Sequence, residues 1–225
     1  MGRHTKLVSA LVLAVGLLVS TTAFAQEGAS SDHAAADNSV VVAPHVGALF
    51  PQVTSDLDSW AVFGLSGGYI LPGEMLGFER PLELGLDVMY TQPGGSGGGH
   101  EPNLGEDGSD YSWDLTQRMV VLEAYGLWRF KPAGGSFSPY AHIGPRTYLM
   151  ETEVDAVTEE GEDFGTNTEQ KTEFGFVFGG GADFAVGPGT MYGTLEFGWN
   201  NLDQRISGDT AVGALALDVG YRLFF

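Results

Sequence analysis

The sequence predicts an all-β chain, an eight-stranded antiparallel up-and-down transmembrane β-barrel. Three observations carry that expectation. Apolar residues recur at every second position in eight segments, at about residues 40–50, 60–71, 80–91, 115–130, 137–150, 172–186, 190–202 and 211–225, which is the signature of strands with two unlike faces. Each segment is as long as the roughly 9 to 11 residues that a tilted strand needs to cross a bilayer. The large apolar side chains also share one parity while the charges share the other.

The strands argue the case one by one. In the last, Leu215, Leu217, Val219, Tyr221, Leu223 and Phe225 alternate with Ala214, Ala216, Asp218, Gly220 and Arg222. In the third, Leu82, Leu84, Leu86, Val88 and Tyr90 oppose Glu83, Gly85 and Asp87. Across all eight, the apolar face collects Phe63, Leu65, Tyr69, Trp128, Phe130, Phe174, Phe176, Phe178, Phe184, Phe197, Trp199, Tyr221 and Phe225. The other face holds Glu83, Asp87, Glu123, Glu173, Asp183, Glu196 and Asp218 with Arg129, Arg146 and Arg222. A soluble core could not bury seven carboxylates with three guanidinium groups at tolerable desolvation cost. A hydrated lumen can, so the charged face is expected inside as a luminal network and the aromatic face against lipid. Glycines of the inward parity leave room there for Trp60, Tyr125, Tyr148 and Tyr192.

Before the first strand, Arg3, His4 and Lys6 precede an apolar run at residues 7–19 and the small-residue ending Ala23-Phe24-Ala25. The run is too short to span a membrane. Residues 1–25 therefore have the form of a cleaved secretory signal peptide. Residues 26–38 are small and polar and are expected to form a disordered periplasmic leader. The connections fall into two classes, with the long ones at 51–59, 92–114, 151–171 and 201–210 alternating with short ones at 72–79, 131–136 and 187–189. From a periplasmic N-terminus the long ones face outward, making 92–114 and 151–171 the principal external loops.

Composition excludes other classes. The chain has 225 residues, 34 glycines, no cysteine and a formal net charge of −19. No thiolate chemistry or disulfide framework is available, and the acidity disfavours nucleic acid as a partner, since phosphate binding rests on basic side chains.

These features resemble the small outer-membrane β-barrel proteins of Gram-negative bacteria, the OmpA-type and OmpX-type barrels. The most specific match is the ending Leu217-x-Val219-x-Tyr221-x-Leu223-x-Phe225. The resemblance implies that Tyr221, Leu223 and Phe225 act as the signal read by the barrel-assembly machinery. It also implies integral residence in the outer membrane among its lipid and lipopolysaccharide. The sequence ends at the barrel, so a peptidoglycan-anchoring role is not implied.

Chemistry is thinly represented. Some barrels of this kind modify lipid A with a histidine, a nearby serine and an acid. Here His142 is followed by Ile143-Gly144-Pro145, and it reads better as a luminal histidine bound to a carboxylate. His45 and His142 both point inward but fall short of the three protein ligands typical of catalytic zinc. No catalytic, cofactor-binding or metal-ligating residue is expected, and no cofactor. The two long loops hold 13 of the 29 acids with one lysine, which suits divalent cations or a cation-bridged contact with lipopolysaccharide. The leading expectation is a non-enzymatic barrel with a structural or surface-interaction role through those loops. A small-solute pore is the alternative, disfavoured because eight strands enclose little more than their own side chains; a lipid A-modifying enzyme comes after it.

Overall fold

The computed structural model describes residues 40–51, 57–72, 80–101, 109–131, 136–158, 161, 163–200 and 214–225. The signal-peptide and leader assignments at 1–38 lie outside the described residues. Within these limits the chain is nearly all strand: β1 (Val40–Phe50), β2 (Trp60–Leu71), β3 (Leu82–Thr91), β4 (Gly94–Glu101), β5 (Ser109–Arg129), β6 (Ser138–Thr158), β7 (Asp163–Val186), β8 (Gly189–Asn200) and β9 (Leu215–Phe224).

All pairings are antiparallel and the ring closes. β1 pairs with β2 and β9, neighbours in sequence pair in turn, and β3 pairs with β5. The ninth strand adds nothing to the circumference. β3 faces the inner half of β5 from Met119 to Trp128, and β4 faces its outer half from Ser109 to Thr116. β3 and β4 are thus one barrel strand interrupted at Gln92-Pro93, where proline has no N–H to give a ladder. The result is an eight-stranded barrel.

Parity sorts the faces. Val41, Ala43 and His45 on β1 are buried, as are Glu83 and Met89 on β3 and Tyr192, Thr194 and Glu196 on β8. Their alternates stand outside: Phe63, Leu86, Ile143, Phe174, Phe176 and Phe178 are each more than half exposed. So large an apolar exterior is stable only where the solvent is hydrocarbon.

Two expectations are corrected. Residues 92–114 and 151–171 are not mainly loops: β4 with the start of β5, and the end of β6 with the start of β7, form tall hairpins paired nearly to their tips. Even the run Gly94-Gly95-Ser96-Gly97-Gly98-Gly99 is strand. Outside the lipid a strand has no need of an apolar face, so the period that would reveal it fades. Trp60, expected to fill the lumen, is 49% exposed at the first position of β2, where none of the described residues closes over it.

At the opposite end the β7–β8 hairpin turns on Gly187-Pro188. Gly187 has φ of 60°, the sign required of the first central residue of a type II′ turn.

Candidate functional site: the luminal network and the projecting sheet

The lumen is stratified. In its lowest layer Arg129 from β5 sits between Glu83 of β3, with Nη2 2.7 Å from Oε2, and Asp183 of β7, to which Nε donates at 2.9 Å. Arg222 of β9 donates to the other oxygen of Asp183. Tyr125 donates its hydroxyl to Glu83 at 2.8 Å. The Arg222 guanidinium lies 3.9 Å from the ring centre of Tyr192 and 4.7 Å from that of Tyr140, a stacking that a planar, weakly hydrated cation favours.

Above it His45 has Nε2 3.1 Å from Asp87 and Nδ1 3.5 Å from Asp218. Next comes Arg146, whose Nη2 donates to Glu123 at 2.5 Å and to Glu196 at 2.7 Å, with His142 Nε2 3.3 Å from the second oxygen of Glu196. The histidines fit because their neighbours are glycines. A Cβ on Gly64 would stand 2.1 Å from His45 Nε2, and one on Gly179 would stand 2.5 Å from His142 Cε1.

Nine of the ten luminal residues named from the sequence, Glu83, Asp87, Glu123, Arg129, Arg146, Asp183, Glu196, Asp218 and Arg222, meet in these three clusters. Glu173 shares their parity but stands higher on β7, opposite Tyr148, and makes none of these ion pairs. His45 and His142 are members that the charge pattern alone did not supply. A cavity of about 40 Å³ remains, bordered by His45, Asp87, His142, Tyr192, Glu196 and Asp218, room for a few waters. Toward the tall end Val62, Met89, Met119, Val121, Tyr148 and Met150 close over the charges as an apolar layer.

Beyond that layer β4, β5, β6 and β7 continue as a four-stranded sheet with unlike faces. Asp114 opposes Asp155, Thr116 opposes Glu153 and Arg118 opposes Glu151, so these residues share the face continuous with the barrel's exterior. Arg118 bonds Glu151 at 3.0 Å and Glu153 at 3.1 Å. On the other face Trp113 and Tyr111 oppose Gly97 and Gly99. Glu106, Asp107, Glu159, Glu160 and Glu162 lie outside the described residues, and no set of three or more histidine or carboxylate side chains that could hold a metal occurs among those described.

The proposed assembly residues fall on the outer face of β9. Tyr221 donates to the Val186 carbonyl at 2.7 Å, Leu223 pairs with Val42 on β1, and Phe225 exchanges two backbone hydrogen bonds with Val40.

A closed antiparallel ring with a charged, hydrogen-bonded lumen and an aromatic exterior defines a class: integral outer-membrane β-barrels. The sequence matches the family of outer membrane protein β-barrel domains over residues 11–222. The chain belongs to that family and is an integral protein of the outer membrane.

A search of curated proteins finds no match. Among solved structures it is similar to Neisserial surface protein A, at 18% identity and TM-score 0.43, covering 88% of this chain and all of that one. The N-terminal β-barrel domain of Pseudomonas aeruginosa OprF is 14% identical with a TM-score of 0.40, covering 83% and 98%. A major outer membrane protein of Thermus thermophilus is 13% identical with a TM-score of 0.49, covering 83% and 99%.

Proposed function

We propose that this protein is a non-enzymatic, non-conducting barrel that presents the sheet formed by its two tall hairpins to the cell exterior, where the acidic face is its working surface. One observation carries the reading: the ordered surface that the barrel supports beyond the membrane has five carboxylates, Asp110, Asp114, Glu151, Glu153 and Asp155, on one face with Arg118 as the one cation among the described residues there. The lumen argues for the same division of labour. Its charges are spent on one another, and the apolar layer separates them from the tall end. The histidines of the lumen are held by carboxylates, and His142 has no serine within hydrogen-bond reach among the described residues. Outer-membrane lipid and lipopolysaccharide surround the barrel in this reading, with divalent cations as bridges between its acids and anionic headgroups. The barrel-assembly machinery reads Tyr221, Leu223 and Phe225.

The test is digestion of intact cells with a glutamate-specific protease. Cleavage is expected at Glu106 and at Glu159, Glu160 or Glu162, leaving a membrane-retained barrel core. Protection in intact cells, with cleavage appearing only after the outer membrane is opened, would place the hairpins in the periplasm and reverse the topology.

A further inference from the structure

Four methionines lie among the described residues, and three of them share one place. Met191 stands on the outer face at 49% exposed, whereas Met89, Met119 and Met150 are at most 5% exposed and pack together in the layer that caps the luminal charges. They come from three strands, and the register brings them side by side. Met119 of β5 is directly opposite Met150 of β6, while Met89 of β3 is opposite Val121, one inward-facing step nearer the ion pairs than Met119. Directly opposed Cβ atoms lie about 5 Å apart and diagonal ones about 7–8 Å. Each sulfur sits two bonds beyond its Cβ on a side chain that turns about three bonds, so the three can be brought to one point of the layer.

We propose that Met89, Met119 and Met150 form a three-sulfur site for a soft monovalent cation, Cu(I), at the tall end of the lumen. Methionine in a core commonly serves as an adaptable apolar filler, but the charge beneath this layer asks for a cation. The three clusters there set six carboxylates against three guanidinium groups, and protonating both His45 and His142 still leaves acid in excess. Glu173, which joins none of those pairs, lies in the cross-strand row that runs from Met89 through Val121 and Tyr148. Lys171, the cation opposite Met150, is itself 3.7 Å from Glu169. The ligands then select the ion. Thioethers are neutral and soft, which suits Cu(I), while zinc and calcium want thiolate, nitrogen or oxygen. Desolvation rises with the square of the charge, so an apolar layer also prefers a monovalent ion. An ion arriving from the tall end first meets Gln117 and Thr152, one inward-facing step above Met119 and Met150 and joined to each other at 3.2 Å. The paired charges below stop it, so the layer holds the ion and does not pass it on. The site is independent of which side of the membrane the tall end faces.

The experiment offers Cu(I), as its bicinchoninate complex under anaerobic ascorbate, to the whole barrel in a nonionic detergent. Wild type is expected to take one equivalent from the chelator, and X-ray absorption to show that copper surrounded by sulfur. M89L/M119L/M150L keeps the volume of the layer while removing its sulfurs. It should weaken binding by about tenfold or more, the scale on which metal sites respond to lost groups, whereas M191L should match wild type. The triple variant must keep the wild-type mobility shift between unheated and boiled gel samples. A second readout needs no variant. Titrating methyl-labelled methionine protein with Ag(I), a redox-inert stand-in, should move the methyl resonances of Met89, Met119 and Met150, saturate at one equivalent, and leave Met191 in place. Failure of wild type to take copper, no saturable silver shift, undiminished binding by the folded triple variant, or a copper shell of nitrogen from His45 or His142 would each overturn the proposal.

Discussion

At the scale of the residue, arginine's position decides what its ion pairs are worth. Arg129 and Arg118 lie on the same strand and each pairs with two carboxylates, but Arg129 is 1% exposed and the Arg118 side chain 42%. Arg129→Met would leave Glu83 and Asp183 buried with Arg222 as their nearest remaining cation. Removing one partner of a buried pair costs roughly 3–5 kcal/mol, whereas an exposed pair at a rim is worth about 0–1 kcal/mol. Urea unfolding in detergent is expected to show a loss of that larger size for Arg129→Met and almost none for Arg118→Met. Equal losses would mean that the lower lumen is wet enough to screen its charges.

At the scale of the element, what was legible in the sequence followed the solvent. Where strands cross lipid, the hydrocarbon forces large apolar groups to one parity, and that parity located the barrel wall from β1 to β9. Above the lipid the constraint disappears. β4 has no side chain larger than serine from 94 to 99, and the acids of β6 sit on a face that meets water, so neither hairpin announced itself as strand. The luminal clusters were legible as a composition but not as pairs. Glu123, Arg146 and Glu196 come from β5, β6 and β8, and their meeting depends on barrel closure and stagger, which alternation along one strand does not encode. Trp60 failed by parity alone, because an inward direction at the first position of β2, at the end of the wall, points past it. The glycine strand yields a prediction at this scale. A valine at Gly97 meets the Trp113 ring and must displace it, yet the hairpin stands beyond the wall. Gly97→Val should change the near-ultraviolet circular dichroism that Trp113 contributes while shifting the unfolding free energy by less than about 1 kcal/mol, as surface substitutions do. A loss several times larger would show that the hairpin and the wall fold as one unit.

For the whole molecule the question is whether a ring of eight strands leaves a path through its centre. The described lumen has four successive obstructions: the Arg129 cluster, the His45 pair, the Arg146 cluster and the apolar layer of Val62, Met89, Met119, Val121, Tyr148 and Met150. The cavity among them holds only a few waters, and an ion crossing it would exchange hydration for fixed charges already paired with one another. Wild-type protein in a planar bilayer is therefore expected to give no stepwise conductance. Truncating one layer is a sharper test than wild type alone. M89A/M119A/M150A thins the apolar layer but leaves three ion-pair layers beneath, so it too should stay silent. Steps in the triple variant alone would place the whole barrier in the methionines and make the ion pairs a permeable, hydrated column. Steps of the same size in wild type would refute the filled lumen and restore the small-solute pore as the function of the barrel.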